Sequence, residues 1–242
     1  MWDSDDAYDR FMGRFSRRLA PLFADFAGIA EGMPVLDVGA GTGALTEELL
    51  RRSERVAAAE PSSAFAASLR RRLPQVDVRE APAERLPWAD GSFEAALAQL
   101  VVVFMDDAPA GVAEMRRVAS TVAVCTWDYY GMELLATVNR TREALGDTST
   151  EPLRYRTPEE LAGLLGNGAE ADALDVEAGY DDFEDFWTAL LGGVGPHGVW
   201  AASLADEQRE AARAELFRQL GEPDGPFTLT GRAWAAKTTT PA

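Results

Sequence analysis

The sequence predicts an α/β fold: a Rossmann-like, doubly wound sheet of about seven strands, mostly parallel with an antiparallel last strand, and an added helical lid. Two observations favour it. Strand-like and helix-like segments alternate through residue 145, and one buried strand runs directly into a glycine-rich turn that opens a helix. Such alternation is typical of a parallel sheet covered by helices on both faces. The 242 residues, 47% of them apolar, suffice for one large domain of this kind.

The first strand is an apolar run, residues 33–38, which ends at Gly39 and reads as a buried parallel strand. Ser62 is a typical N-cap, and residues 89–92 form a turn before a further strand. The elements predicted after the first strand alternate in this order: Thr42 to Arg52, Val56 to Glu60, Ser62 to Leu73, Val76 to Glu80, Phe93 to Ala98, Ala108 to Val118 and Thr121 to Trp127.

The second part of the chain is less regular. A capping box with proline at the first helical position, residues 157–160, predicts a helix start. The other predicted elements are helices over Gly131 to Leu145, Phe183 to Leu191 and Asp206 to Leu220, and strands over Ala173 to Tyr180 and Phe227 to Ala236. We expect an N-terminal helical lid segment (1–30), a core (31–180 with 223–242) and a helical insertion (181–222) over the carboxyl ends of the strands, where it could cover a substrate.

Charge and cysteine content narrow the function classes. The net charge of −17 argues against nucleic acid as a partner, because such binders need a basic surface, and it is more simply a solubility feature. The single cysteine, Cys125, lies in an apolar run and is expected to be a buried, inert thiol, as in a reducing cytoplasm. The chain shows no signal-peptide pattern and no membrane-length apolar run, so we expect a cytoplasmic protein without membrane contact.

The strongest motif is the segment from Val35 to Gly43, in which a strand, a glycine-rich turn and a helix follow one another. Glycines there permit unusual backbone angles and close approach of a ligand, and the helix start offers free N–H groups. Asp37 precedes the first glycine by two residues. Glu60 ends the second strand, where an acidic side chain can bind both ribose hydroxyls; otherwise it is a solvated strand end.

With these motifs the chain resembles the class I S-adenosylmethionine (SAM) dependent methyltransferases of the methyltransferase-11 (UbiE-like) family. The glycine-rich segment resembles the first motif of the family, Glu60-Pro61-Ser62 the second, and residues 83–94 the stretch before its fourth strand. The resemblance is specific from about residue 33 to 127. Residues 8–16 resemble an opening segment of bacterial members, and residues 128–242 a subgroup of predicted small-molecule methyltransferases.

The resemblance implies SAM as cofactor, S-adenosylhomocysteine as its product, and no metal. It places one group of residues around the methionine part of SAM: Asp37, Gly39, Ala40, Gly41 and Gly43. It places Glu60 on the ribose and Pro61, Ala83 and Glu84 around the adenine. Gln99 and Leu100 would lie near the sulfonium and the amino-acid end.

Two positions depart from the family pattern. Pro82 stands where many relatives carry an aspartate that accepts from the adenine amino group, so adenine recognition must rely on backbone groups or on Glu84. Val103 stands where many relatives carry a histidine that can serve as a base. In-line transfer from a sulfonium needs alignment and exclusion of water more than a base.

Residues outside the motifs are further candidates. Tyr8 and Arg14 are further cofactor-binding candidates. Arg14 could pair with the SAM carboxylate through two hydrogen bonds, or it could be a surface arginine on a lid helix. His197, the only histidine, is a candidate base in a glycine-rich stretch, although a solvent-exposed loop position is the simpler interpretation. Tyr129 is the second catalytic candidate. The substrate candidates are of two kinds. Asp128 and Tyr130 directly follow the fifth strand. Trp127 and Trp187 could line an apolar pocket, with an ordinary core role as the alternative.

The function predicted from the sequence is methyl transfer from SAM to a small organic acceptor, at O, N or C, by a monomer or homodimer. A SAM-binding protein that transfers no methyl group is the alternative. An NAD-dependent oxidoreductase is disfavoured by the Asp37-x-Gly39 pattern and the stretch from Ala83 to Phe93.

Overall fold

The computed structural model describes residues 5–147 and 154–239. Seven strands form one sheet in the order β3-β2-β1-β4-β5-β7-β6. The strands are β1 (Val35–Val38), β2 (Val56–Ala59), β3 (Asp77–Arg79), β4 (Phe93–Gln99), β5 (Ala119–Trp127), β6 (Glu170–Tyr180) and β7 (Phe227–Thr239). The pairs β1–β2, β1–β4, β2–β3 and β4–β5 are parallel, whereas β7 is antiparallel to β5. The predicted fold class is therefore confirmed, including the antiparallel last strand.

Ten α-helices accompany these strands in the described part of the chain. They are α1 (Asp5–Arg10), α2 (Gly13–Phe26), α3 (Ala44–Arg52), α4 (Ser63–Arg72), α5 (Ala108–Val118), α6 (Glu133–Ala144), α7 (Pro158–Leu165), α8 (Phe183–Leu190), α9 (Gly195–Ser203) and α10 (Asp206–Gln219). A short 3₁₀ helix covers Val102–Phe104. No helix among the described residues is both long enough and apolar enough to cross a bilayer.

The chain divides into two compact units. One consists of residues 1–18, 128–152 and 175–232, and the other of residues 19–127, 153–174 and 233–242. This division does not follow the predicted boundaries at residues 30, 180 and 222, and those boundaries stay predictions.

The second unit has its core on the sheet. Strands β1 and β2 are buried at every position, because a parallel strand has both faces covered by helices. Helix α5 packs Val112, Met115 and Val118 into this core, and α7 adds Leu161 and Leu165. Cys125 lies in β5 with no exposed surface, and burial raises the pKa of its thiol, so the predicted buried cysteine is confirmed.

Local signals explain where several helices begin. The Ser62 hydroxyl accepts from the Phe65 N–H at 3.5 Å at the start of α4. The Thr157 hydroxyl accepts from the Glu160 N–H at 3.2 Å, while the Glu160 carboxylate accepts from the Arg156 N–H at 2.6 Å, one residue before the cap. The predicted capping box at α7 is thus present in a slightly shifted form.

The first unit has an aromatic core. Tyr180 at the end of β6 stacks on Phe227 at 5.4 Å between ring centroids and meets Phe186 of α8 edge-on at 5.3 Å. Phe183 of α8 meets Phe217 of α10 edge-on at 5.0 Å. These contacts anchor α8 and α10, which the amphipathic patterns predicted, to the strands of this unit.

Candidate functional site

The loop between β1 and α3 is built from glycines in the left-handed region. Gly39, Gly41 and Gly43 have φ values of 73°, 53° and 87°. The N–H groups of Gly39 and Ala40 both donate to the Ala59 carbonyl, at 2.8 and 3.1 Å, which ties the loop to the end of β2. Only glycine adopts these angles without strain, so the loop brings bare backbone to the start of α3.

Gly39 also faces a neighbour that leaves no room for a side chain. A Cβ atom there would lie 2.5 and 2.6 Å from the two γ carbons of Val101. Val101 follows Leu100, a buried non-glycine residue with φ 64°, whose N–H donates to the Cys125 carbonyl at 3.0 Å. Non-glycine residues in this conformation are strained and occur preferentially at functional sites.

Asp37 is a buried carboxylate at the centre of the same region. Its side chain is 1% exposed and accepts a hydrogen bond from the Thr46 hydroxyl at 2.6 Å. Burial raises the pKa of Asp37 to about 7, Thr46 opposes that shift, and the nearby charge of Glu60 adds to it. Thr46 was not predictable as a partner of Asp37, because the two residues meet only when α3 folds back on β1.

Glu60 is the second buried carboxylate, one residue after β2. One oxygen accepts from the Gly41 N–H and the other from the Ser62 N–H, both at 2.8 Å. Burial raises the pKa of Glu60, and these two hydrogen bonds partly offset the rise. Glu60 therefore braces the glycine loop, so the alternative of a solvated strand end is excluded. Each carboxylate oxygen retains acceptor capacity for a further donor.

Two buried carboxylates thus flank a glycine loop at the carboxyl ends of adjacent strands. Burial disfavours the ionised form of each, and the repulsion between Asp37 and Glu60 adds to the cost for Asp37. A cationic ligand would relieve both effects. An anionic ligand would be repelled. The arrangement therefore suits a positively charged ligand with hydroxyl donors.

The other predicted cofactor residues of this unit differ in exposure. Ala83 is 7% exposed and Leu100 is 8% exposed. Gln99 and Glu84 are half-buried, Pro61 is exposed, and the Glu84 carboxylate accepts from the Asp107 N–H at 3.1 Å. Val103 is half-buried in the short 3₁₀ helix and packs on the core, so this position offers no base.

The first unit brings together the two predicted catalytic residues. The phenol of Tyr129 donates to the Asn139 side-chain oxygen at 3.4 Å, and His197 Nε2 lies 2.9 Å from the same oxygen. The Tyr129 and His197 ring centroids are 5.4 Å apart. The carbonyl oxygen of Asn139 only accepts, so His197 Nε2 carries the proton and Nδ1 is the acceptor nitrogen. Sequence reasoning missed Asn139, since a polar residue on a helix gives no signal by itself.

The interpretation of His197 as an exposed loop residue is wrong. His197 lies in α9 and is 3% exposed, and Gly195 begins that helix instead of continuing a loop. Burial lowers the pKa of His197 to about 4, with a contribution from the positive charge of Arg142. His197 is therefore neutral near pH 7 and a weak base.

A nuclear magnetic resonance titration of His197 tests this environment directly, because the chain has a single histidine. We expect a pKa of about 4, against 6.5 for a free side chain, and the Nε2–H tautomer at neutral pH. Asn139→Ala should weaken the preference for the Nε2–H tautomer. Arg140→Ala, on the same helix, is the control and should leave it unchanged. A pKa near 6.5 or an Nδ1–H tautomer would contradict the buried hydrogen-bonded position.

The predicted substrate residues have separate surroundings. One Asp128 carboxylate oxygen accepts from the N–H groups of Tyr130, at 3.2 Å, and Gly131, at 2.9 Å, and so shapes the turn after β5. Tyr130 is 70% exposed, and Trp187 is buried at 4%. Trp127, in the other unit, is half-buried. Substrate contact by these residues stays a prediction.

Arg14 of α2 has an internal partner. Its guanidinium makes two hydrogen bonds with the Asp185 carboxylate, at 2.8 and 2.5 Å, and donates to the Gly179 carbonyl at 2.9 Å. It also stacks over the Tyr180 ring at 4.7 Å. A ligand carboxylate could take this guanidinium only by displacing Asp185. Tyr8 is half-buried in α1.

Within the described residues, no three histidine, cysteine or acidic side chains are grouped in a way that could hold a metal ion.

The methyltransferase-11 family model, described as a methyltransferase domain, matches residues 36–124. This stretch runs from β1 to β5 and contains the glycine loop, Asp37, Glu60 and residues 83–94.

Relatives extend the similarity beyond that stretch. An uncharacterised protein of Mycobacterium tuberculosis is 28% identical over 88% of this chain and 82% of its own length. The demethylmenaquinone methyltransferase of Beutenbergia cavernae is 34% identical over 48% of this chain and 47% of its own. A solved structure of a proposed type II methyltransferase from Anaeromyxobacter dehalogenans is 25% identical, with a TM-score of 0.64 over 92% of this chain and 97% of that one.

Proposed function

We propose that the protein binds SAM and transfers its methyl group to a small organic acceptor at O, N or C. Residues 36–124 of this chain belong to the methyltransferase-11 family. The observation that carries the proposal is the pair of buried carboxylates beside the glycine loop. Asp37 and Glu60 are 1% and 5% exposed, and both have raised pKa values. SAM has a net positive charge and two ribose hydroxyls, and it supplies an activated methyl group on a sulfonium.

The residues present fit this cofactor by their chemistry. Glu60 retains acceptor capacity for ribose hydroxyls although its two oxygens already brace Gly41 and Ser62. The glycine loop leaves bare backbone for close approach. The residues that we propose to hold SAM are Asp37, Gly39, Ala40, Gly41, Gly43, Glu60, Pro61, Ala83, Glu84, Gln99 and Leu100. Contacts from Tyr8 and Arg14 belong to the proposal too, although Arg14 would first have to leave Asp185.

The charge of the site also separates SAM from NAD. A dinucleotide would bring its anionic pyrophosphate to the glycine loop. Asp37 is buried directly before that loop, and further negative charge there would raise its pKa again. The same carboxylate favours a ligand that carries a positive charge. SAM is therefore the better match to the electrostatics of the loop.

We further propose that the acceptor is aligned instead of being deprotonated by a strong base. His197, with a pKa of about 4, is neutral at pH 7 and too weak to act as a base poised near neutrality. Its Nδ1 can orient a donor group of the acceptor, with Tyr129 beside it on Asn139. Asp128, Tyr130, Trp127 and Trp187 are the residues that we propose for further acceptor contacts.

The weak basicity of His197 is also compatible with the second candidate function, a SAM-binding protein that transfers no methyl group. Incubation with SAM and a panel of phenols, amines and carboxylates distinguishes the two. Release of S-adenosylhomocysteine with one acceptor class establishes transfer. Tight SAM binding without such release across the panel favours the second function.

Calorimetric titration with SAM, S-adenosylhomocysteine and NAD tests the cofactor. We expect SAM and S-adenosylhomocysteine to bind and NAD not to bind. Glu60→Ala should weaken SAM binding by roughly 1–3 kcal/mol, because it removes hydrogen bonds made by a charged group. Glu80→Ala is the matched control: Glu80 is an exposed acid after β3 that accepts from the Ser63 hydroxyl at 2.7 Å. Tight NAD binding without a SAM signal, or full SAM affinity in Glu60→Ala, would refute the assignment.

A further inference from the structure

The segment between β3 and β4, residues 83–91, contacts helix α5 along the length of the helix. At the start of α5, the Asp107 N–H donates to the Glu84 carboxylate at 3.1 Å. One turn later, Gly111 faces Ala83: a Cβ atom at Gly111 would lie 3.3 Å from the Ala83 Cβ. The end of α5 makes the densest set of contacts, through Glu114 and Arg117.

Arg117 uses its guanidinium fork on the backbone of this segment. It donates to the carbonyls of Leu86 and Trp88, both at 2.8 Å, and to the Asp90 carboxylate at 2.9 Å. Its own carbonyl accepts from the Gly91 N–H at 2.9 Å. Arginine presents five donors in a rigid planar arrangement, whereas lysine has three donors on one rotatable nitrogen, so arginine can hold these separate acceptors in a fixed geometry.

Glu114 completes the arrangement. Its carboxylate accepts from Arg117 Nε at 2.7 Å and Nη2 at 2.8 Å, and from the Leu86 N–H at 3.0 Å. These bonds lower the pKa of Glu114, so the pair is ionised at neutral pH. Glu114 and Arg117 therefore bind both the N–H and the C=O of Leu86, which fixes the backbone orientation three residues from Ala83.

We infer that Glu114 and Arg117 are positioning residues, which hold residues 83–91 in the backbone conformation that recognises the adenine of SAM. The inference rests on the proposed function, in which Ala83 and Glu84 line the adenine. Pro82 has no N–H and an apolar side chain, so recognition there depends on neighbouring backbone groups and Glu84. Backbone groups recognise a base edge only if the backbone is held still.

The test measures selectivity for adenine, because a merely structural role would weaken every nucleoside ligand alike. Affinities are measured for S-adenosylhomocysteine and for S-inosylhomocysteine, in which a carbonyl replaces the 6-amino group. The unchanged protein should prefer the adenine compound. In Arg117→Ala the affinity for the adenine compound should fall about tenfold or more. The affinity for the inosine compound should fall less, so the preference for adenine decreases. Arg117→Lys should rescue it only in part.

Arg116→Ala is the control, because Arg116 lies beside Arg117 on α5 but donates to the Leu165 carbonyl. It should keep the full preference. Glu114→Gln is a milder second variant, which retains a carbonyl acceptor for the Leu86 N–H; it should reduce the preference, and hydrogen exchange at Leu86 should become faster.

An undiminished preference in folded Arg117→Ala and Glu114→Gln would overturn the inference while leaving the proposed function intact. Failure of the unchanged protein to bind S-adenosylhomocysteine would overturn the proposed function and the inference together.

Discussion

Gly39→Ala is expected to destabilise the protein by about 2–5 kcal/mol and to abolish measurable binding of S-adenosylhomocysteine. Two costs combine. A non-glycine residue at φ 73° is strained by about 1–2 kcal/mol. The new Cβ atom would also lie 2.5 Å from Val101, and overpacking of this kind costs about 1–3 kcal/mol. Denaturant unfolding measures the loss of stability, and calorimetry measures the loss of S-adenosylhomocysteine binding.

Gly91→Ala separates the two costs. Gly91 has a φ of 64°, yet a Cβ atom there would meet nothing within 4 Å. Gly91→Ala should therefore reduce stability only by the cost of placing a non-glycine residue at a positive φ angle. The double variant Gly39→Ala/Val101→Ala should be more stable than the sum of the single losses predicts, because Val101→Ala removes the clashing atoms. Equal losses in Gly39→Ala and Gly91→Ala would show that the contact between Gly39 and Val101 is not tight.

The sequence predicted those features of the fold that have local causes. The Ser62 cap and the capping box at Thr157 fix helix starts through bonds within four residues, and both are present. The glycine loop was predictable for the same reason, because positive φ angles restrict the residue type locally. Strands β1 and β2 were predictable because burial on both faces makes nearly all of their residues apolar.

Features that depend on distant partners were not predictable. His197 is buried and its ring is hydrogen-bonded to Asn139, which is 58 residues away in the sequence. Glu114 and Arg117 lie three residues apart on one helix, yet both bind Leu86, which is 28 and 31 residues earlier in the chain. The antiparallel direction of β7 was predicted, whereas its place between β5 and β6 depends on pairing across the whole sheet.

Asp37→Asn is expected to change how stability depends on pH, because the carboxyl group is buried with a pKa of about 7. Between pH 4 and pH 7 the folded protein keeps a proton on Asp37 that the unfolded chain, with a pKa near 3.8, has released. The contribution of Asp37 to the free energy of unfolding is therefore fully present below about pH 4, and it is lost as the pH rises to about 7. The pKa difference of about three units corresponds to at most about 4 kcal/mol.

Asparagine cannot ionise, so Asp37→Asn should match the unchanged protein near pH 4 and exceed it in stability above pH 7. His197 has a lowered pKa and gives the opposite slope, but it contributes equally to both proteins and cancels in their difference. Asp77→Asn is the control: Arg79 lowers the pKa of this half-exposed acid, so its removal should reduce stability above pH 4. A pH-independent difference for Asp37→Asn would show that the carboxyl group titrates normally.

The same substitution connects stability to the proposed ligand. The buried charge of Asp37 lowers the stability of the folded protein, and we expect the same charge to favour a cationic ligand. Asp37→Asn should therefore weaken the binding of SAM more than that of S-adenosylhomocysteine, which lacks the sulfonium charge. We expect the preference for SAM over S-adenosylhomocysteine to fall several-fold at pH 8, where Asp37 is ionised. An equal loss for both ligands would assign Asp37 a role in shaping the loop through Thr46 and remove the electrostatic argument for a cationic ligand.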